Sequence, residues 1–427
     1  MSNKDTSPMG KQKRDKQALV PRVRFPEFRE AGEWENKPLR TLGSFFRGLT
    51  YSADEVSEEG LLVLRSSNIQ DGSLVLDKDL VFVDKPCPDD LLLQDGDVAI
   101  CMSNGSKALV GKSAEFQNNY DGQLTVGAFC SIFRPSLEFA KLIFQTPRYS
   151  KFVSIAIGGG NIKNLKNSDL EEFEHPVPRM PLEQQKIADC LAFLDELISA
   201  ENQKLSTLKA HKKGMLQQLF PREGEVVPRL RFPAFRKAGA WAKVAVGQLF
   251  SNRTERGEQG LPIYSVTMTE GLVPRASLDR RIDDIAEAGA NKAVRRGDIA
   301  YNMMRMWQGA LGVAPEDCMV SPAYIVLEPQ AGVDPVFFYF LLKRPETLQV
   351  LTAHSRGLTE DRLRLYYDDF AKVSLRCPSL PEQERIADCL ASLDDSIAVQ
   401  SQQIDALKTH KNGLMRQLFP FSAEVQA

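Results

Sequence analysis

The 427-residue chain is poor in the groups that most often carry chemistry. Its four histidines, at positions 175, 211, 354 and 410, show no metal-ligand spacing, and two of them fall at equivalent places in a repeat described below. Seven cysteines, at 87, 101, 130, 190, 318, 377 and 389, include no C-x-x-C pair. That pattern excludes a zinc ribbon and favours reduced thiols over a disulfide frame. No apolar run approaches ~20 residues, so no membrane span is expected. The polar start MSNKDTSPMGKQKRDKQ lacks the apolar stretch of a secretory signal, which leaves a cytoplasmic location as the expectation. Nucleotide-loop, serine-elbow and zincin motifs are missing. SPAY (321–324) lacks the Asn or Asp with which an amino-methyltransferase tetrapeptide accepts hydrogen bonds from the amine, and Pro88-Asp89 has no downstream partner for a nuclease. The chain is therefore expected to be non-catalytic, with no metal of its own.

An excess of charge is also missing. The formal net charge is −2 and the pI about 6.2, whereas nucleic-acid binders usually carry a basic surplus. Charge is unevenly spread, however. Residues 1–29 hold eight lysines and arginines against Asp5, Asp15 and Glu27, so a nearly neutral whole can conceal a basic face. Apolar content of 43% and charged content of 26% are those of a globular protein, and the length allows two or three domains.

What is present is a repeat. KIADCLAFLDELI (186–198) returns as RIADCLASLDDSI (385–397), 199 residues later. The match runs from Glu183 and Glu382 to Phe220-Pro221 and Phe419-Pro420, and includes LKAHKKGMLQQLFP beside LKTHKNGLMRQLFP. Ahead of each copy stands a second matched stretch, VPRVRFPEFREAGEW from Val20 and VPRLRFPAFRKAGAW from Val227. Between these ends the likeness thins to GDVAICM (96–102) with GDIAYNM (297–303) and GLLVLRSSNIQDG (60–72) with GLPIYSVTMTEG (260–271). Conserved-looking ends around unlike middles describe a duplicated scaffold carrying separately tailored inserts.

The repeated segments read as coiled helices. Ile187, Leu191, Leu194, Ile198, Leu205, Leu208, Met215 and Leu219 fall in steps of four and three, and Ile386, Leu390, Leu393, Ile397, Ile404, Leu407, Leu414 and Leu418 repeat them in phase. Prolines 181 and 381 precede the first turns, and prolines 221 and 420 follow the last. At ~1.5 Å per residue a helix of this length is about 55 Å long. The seam is interrupted at Glu201 and Lys212 and again at Gln400 and Lys411. Antiparallel pairing with Glu201 opposite Lys411 and Lys212 opposite Gln400 would match the polar groups; a fully overlapped register would leave them facing Leu or Ile.

The expected fold is α+β: two mixed α/β domains separated by two long helices that form an antiparallel intramolecular coiled coil with pseudo-two-fold symmetry. The boundaries read as a basic N-terminal segment (1–19), a first domain (20–180), a central helix (181–221), a second domain (222–379), a C-terminal helix (380–420) and a tail (421–427). LLVLRSSNI, SLVLD, LVFVD, DVAICM and ALVGKSAEF predict strands in the first domain, as do PIYSVTM, DIAYNMM, GALGVA and AYIVLEP in the second. Helices are predicted over 137–157 and 335–353.

Polar loops hold the candidate contact residues: Lys163, Asn164 and Lys166 in GGGNIKNLKNSDL; Asn104 and Lys107 in SNGSK; Arg295 and Arg296 in RRGD; Arg305 and Gln308 in RMWQ; Arg356, Arg362 and Arg364 in HSRGLTEDRLRL. Arg, Lys, Asn and Gln are the side chains that read base edges and hold phosphates.

Two unlike domains alternating with two helical repeats, each repeat opened by E-Q-[QE]-[KR]-I-A and closed by L-x-x-x-K-x-G-[LM]-[ML]-x-Q-L-F, resemble the specificity subunit of bacterial Type I restriction-modification enzymes. The two VPR-x-RFP openings are similar to that family's module starts, and the likeness spans about residues 20–420. The resemblance implies that each globular part is a target recognition domain for one half of a split, asymmetric double-stranded DNA site, with the helices setting the spacer. It implies two methyltransferase subunits that methylate adenine N6 and separate restriction-translocase subunits. S-adenosylmethionine, ATP and magnesium would all sit on those partners and none on this chain. A stand-alone DNA-binding regulator, or a specificity subunit serving a methylation-only or phage-defence system, are the alternative readings.

Overall fold

In both halves of the chain the Gly-Asp repeat opens the central strand of a four-stranded antiparallel sheet. The structure, a computed structural model, describes residues 19–70, 72–158, 164–278, 288–359 and 362–420. It divides into a first unit, Met1–Ala200 with Ile404–Ala427, and a second, Glu201–Gln403. The first unit orders its sheet Gly43–Arg47, Cys130–Pro135, Val98–Cys101, Ser113–Glu115. The second orders its own Phe250–Asn252, Tyr324–Pro329, Ile299–Asn302, Leu311–Val313, which is the same topology.

The Gly-Asp motif has one local cause in both. Gly96 and Gly297 take φ of +82° and +88°, a region costly for any residue with a Cβ. The buried aspartate that follows accepts from the turn's own backbone, Gln94 N to Asp97 Oδ2 at 2.9 Å and Arg295 N to Asp298 Oδ2 at 2.8 Å. An arginine neutralises each: Arg134 on Asp97 at 2.8 Å and Arg253 on Asp298 at 2.7 Å.

Away from that sheet the units diverge. The first adds a four-stranded sheet in which Leu124–Val126 runs parallel to Leu61–Leu64. The second has two separate strand pairs, Tyr264–Val266 with Leu272–Pro274 and Lys292–Val294 with Cys318–Val320. The helices predicted over 137–157 and 335–353 are both broken. Pro147 and Pro345 start new helices, and the residues before them, Thr146 and Arg344, are extended. Proline supplies no N–H and disfavours a helical residue ahead of it, so the interruption follows directly from the sequence.

The duplicated sequence ends form two equivalent clamps. In the first unit Arg24 binds Glu183 through two parallel hydrogen bonds of 2.7 Å, and Val23 N donates to Gln417 O at 3.0 Å. The opening segment thereby ties the start of one long helix to the end of the other. In the second unit Arg231 binds Glu382 with the same two distances, and Leu230 N donates to Gln218 O at 3.0 Å. Each clamp closes over an aromatic trio. Trp34, Phe139 and Phe419 have ring centroids 5.4 to 5.9 Å apart; Trp241, Phe220 and Phe337 repeat the arrangement at 5.3 to 6.0 Å. The repeated W and FP letters are thus the packing partners that seat the helix ends.

The long helices are Pro181–Leu219 and Leu380–Leu418, and the unit division assigns one part of each to either unit. In the first unit Ile187, Ala188, Leu191 and Leu194 share a core with Met415, Leu418 and Phe419. In the second, Leu219 and Phe220 share one with Ile386, Ala387 and Leu390. The start of one helix meets the end of the other both times, so the pairing is antiparallel. Among the apolar seam positions Ile187, Leu191, Leu194, Leu219, Ile386, Leu390, Ile404 and Leu418 are buried. Ile198, Leu205, Leu208, Met215, Leu393, Ile397, Leu407 and Leu414 are half-buried.

The polar seam residues pair differently from either register considered above. Gln400 donates to Glu201 Oε2 at 2.5 Å, and these two are each other's equivalents in the repeat. Lys411 instead reaches Asp195 at 2.6 Å, and Lys212 reaches Asp394. Counting only seam-to-seam contacts misses this, because a lysine stem can lie along apolar surface and carry its ammonium to a carboxylate beside the seam.

One buried group makes the first unit acid-sensitive. His175 lies among Phe173 and Phe419, its Nδ1–H donating to Pro176 O at 2.8 Å. Burial, with a smaller contribution from the nearby Arg148 charge, pushes its imidazole down from 6.5 to about 3. The folded state keeps the ring neutral while the unfolded chain takes up a proton below about 6.5, so stability falls as pH drops from there toward 3. At pH 5 the loss is about 2 kcal/mol. Leu375 occupies the register-equivalent strand position in the second unit. His175→Leu is therefore expected to remove this part of the acid dependence, measured as denaturation midpoints between pH 7 and 4.5. An unchanged acid limb would contradict it.

Candidate nucleic-acid interface

Strand Val98–Cys101 delivers the chain to a loop that a second, distant loop stitches in place. Leu165 N donates to Met102 O at 2.8 Å, and Ser103 Oγ donates to Asn164 Oδ1 at 2.6 Å. Asn104 Nδ2 donates to Ser66 Oγ at 2.8 Å, while its Oδ1 accepts from Ser106 N at 2.9 Å. Met102 N and Ser103 N both donate to Phe129 O, and that phenyl ring is 70% exposed. Lys107 and Lys166 stand exposed on the same loops and make no ion pair among the described residues. Lys163, expected here too, lies outside the described residues.

The second unit builds an equivalent place from other side chains. Strand Ile299–Asn302 leads into a loop where Leu365 N donates to Met303 O at 2.9 Å, the counterpart of the Leu165 contact. Tyr301 Oη donates to Leu365 O at 3.2 Å and fixes the same junction from below. Arg305 and Gln308 are exposed on this loop, and Arg362 and Arg364 on the segment that docks against it. Arg305, Arg362 and Arg364 make no ion pair among the described residues. Arg356 belongs to the same segment but is held by Asp369 at 2.5 Å, which lowers the Asp369 carboxyl pKa.

Arg295 and Arg296 are not brought to this cluster. They precede strand Ile299–Asn302, whereas Arg305 follows it, and four strand residues span about 13 Å. Arg295 is moreover enclosed by Glu255, Glu258 at 3.3 Å and Asp317 at 3.1 Å, which together raise its pKa. A guanidinium set among three carboxylates has its charge offset within the protein, and Arg296 lends its backbone N–H to the same Asp317 at 2.9 Å. The surroundings of these two arginines, supplied by acids far away in sequence, could not be read from RRGD alone.

Apolar side chains stand beside the polar ones. Phe129, Met304, Leu358 and Tyr366 are exposed in or beside these loops. In Leu358 the only sequence signal was an aliphatic residue set between Gly357 and Thr359 in an arginine-rich stretch.

Chemically, the first place offers hydroxyls, amides and lysines beside an exposed phenyl ring, and the second offers guanidiniums and an amide beside aliphatic and aromatic groups. Among the described residues no set of His, Cys, Asp and Glu is arranged to hold a metal ion, and no helix is long and apolar enough to cross a membrane.

Comparison with known proteins bears on most of the chain. The family model described as the Type I restriction modification DNA specificity domain matches residues 32–210 and 244–409. The EcoKI specificity subunit of Escherichia coli is 33% identical over 167 residues, covering 36% of this chain and 34% of that protein. The MjaVIII specificity subunit of Methanocaldococcus jannaschii is 23% identical over 307 residues, 65% of this chain and 68% of that one. The aligned stretch spans only about a third of the Escherichia coli relative. The crystal structure of a Type I restriction-modification S subunit from M. genitalium shares the fold, with a TM-score of 0.59 at 14% identity over 95% of this chain and all of that one.

Proposed function

Since the chain belongs to the Type I restriction-modification DNA specificity family, we propose that it is the specificity subunit of such an enzyme, a non-catalytic reader of double-stranded DNA. Each unit reads one half of a split site, and because the loops differ, the half-sites differ. The paired helices hold the halves of the site a set number of unread base pairs apart. Two methyltransferase subunits carrying S-adenosylmethionine act on an adenine in the bound site. Restriction-translocase subunits using ATP and magnesium complete the cytoplasmic assembly.

The observation that carries this reading is the pair of equivalent loop clusters, anchored at Leu165 and Leu365, that present different exposed donors. Asn164, Lys107 and Lys166 serve the first unit, with Asn104 contributing through its contact with Ser66. Lys163 lies between them in sequence. Arg305, Gln308, Arg362 and Arg364 serve the second, Arg356 braces them, and Arg295 and Arg296 are left out. A good bidentate base contact discriminates by about 1–3 kcal/mol. Specific binding usually exceeds non-specific binding by about 4–10 kcal/mol, which two readers reach together more readily than one.

Exchange of residues 20–180 for the matching region of a relative tests the division of labour. The modified site should change in one half only, with the other half and the spacer kept. A change in both halves would contradict it.

A further inference from the structure

The most exposed large apolar side chain described is Leu358, at 101% of its reference area. A lone exposed leucine ordinarily means nothing. This one is held out on a braced support. Arg356 and Arg364 exchange two backbone hydrogen bonds of 2.9 and 2.8 Å, and Arg362 N donates to Thr359 O at 2.9 Å. A Cβ at Gly357 would lie 2.6 Å from Arg362 O, so the two arms run very close together there. At the base Leu365 is fully buried and Arg356 is fixed on Asp369. Exposed Arg362 and Arg364 flank the site.

We propose that Leu358 reads a thymine, its side chain packing on the C5-methyl group of a T·A pair in the major groove of the half-site bound by the second unit. This rests on the DNA-reading role proposed above and adds the base. An aliphatic group gains nothing from a charged phosphate. On the major-groove edges of unmodified DNA the one apolar feature is the thymine methyl. The described arms, bridged at Arg356 and Arg364, match a groove ~12 Å wide, which admits a two-stranded ribbon, better than a minor groove of ~6 Å. Arginines beside the leucine supply the phosphate contacts that hold it in register. Because Leu358 is fully exposed and buries no surface among the described residues, its truncation should leave the fold intact.

The test uses the full chain assembled with its methyltransferase subunits and a duplex carrying the mapped target, with each thymine in turn replaced by deoxyuridine, which lacks only the methyl group. The wild-type complex should lose about fourfold in affinity at one position, the loss expected for one buried methyl-sized group. Leu358→Ala should bind the all-thymine duplex more weakly by a similar factor, ignore the swap at that position, and unfold at the wild-type midpoint. The proposal is overturned if no position shows this loss, if wild type and Leu358→Ala lose equally, or if the half-site of the second unit contains no thymine. A wild-type complex that fails to separate target from scrambled duplex overturns the DNA-reading role itself, and this inference with it.

Discussion

Arg24→Ala should destabilise the first unit by about 3–5 kcal/mol, the usual cost of removing one partner from a buried ion pair. The side chains of Arg24 and Glu183 are 7% and 1% exposed, and Arg24 Nη1 also donates to Gly32 O at 2.7 Å. Without the guanidinium, the Glu183 carboxylate keeps, among the described residues, only the Trp34 indole N–H at 3.3 Å. A domain's whole stability is about 5–15 kcal/mol, so this single change removes a large share. Arg231→Ala should cost at least as much in the second unit, because Trp241 Nε1 is buried with no acceptor among the described residues and gives Glu382 no such help. Two units need not unfold together, so hydrogen exchange read unit by unit is the suitable measurement. Replacing both partners, Arg24→Met with Glu183→Leu, should restore much of the loss; equal loss in single and double variants would show that the charge pair is not its source.

The second large effect concerns the length of the paired helices. Seven residues preserve the phase of the seam. Lys411 reaches Asp195 and Lys212 reaches Asp394, so each helix supplies partners to the other and both must grow together. Insertion of one heptad after Glu201 and another after Gln400 should lengthen the unread spacer by about three base pairs, given ~1.5 Å per helical residue and ~3.4 Å per base pair. Sequencing of the modified sites reads the result. A spacer of unchanged length would refute the helices as the element that sets it.

The scaffold was legible in the sequence because its determinants are repeated and local. Two in-phase seams, two W-containing openings and two FP endings stand for helices and clamps, and each letter has one structural role. Their cause still needed the coordinates. Nothing in the spacing says that Arg24 seeks Glu183, 159 residues away. Pro147 and Pro345 mark the helix breaks in the sequence, although the apolar pattern around them runs on through both.

The loops were only partly legible. Arg305 and Arg364 were visible as letters, but their neighbourhood comes from Leu365 docking on Met303 across 62 residues. Arg295 looked as promising as Arg305 and is instead spent on Glu255, Glu258 and Asp317. Charge in a loop is a local property, whereas availability depends on what the rest of the chain brings to it.

Mapping every modified adenine in cells that express this chain with the methyltransferase proposed as its partner tests the central claim most directly. Two short, unlike half-sites separated by a constant run of unread bases are the predicted result. A continuous symmetric site, or halves at varying distance, would contradict it.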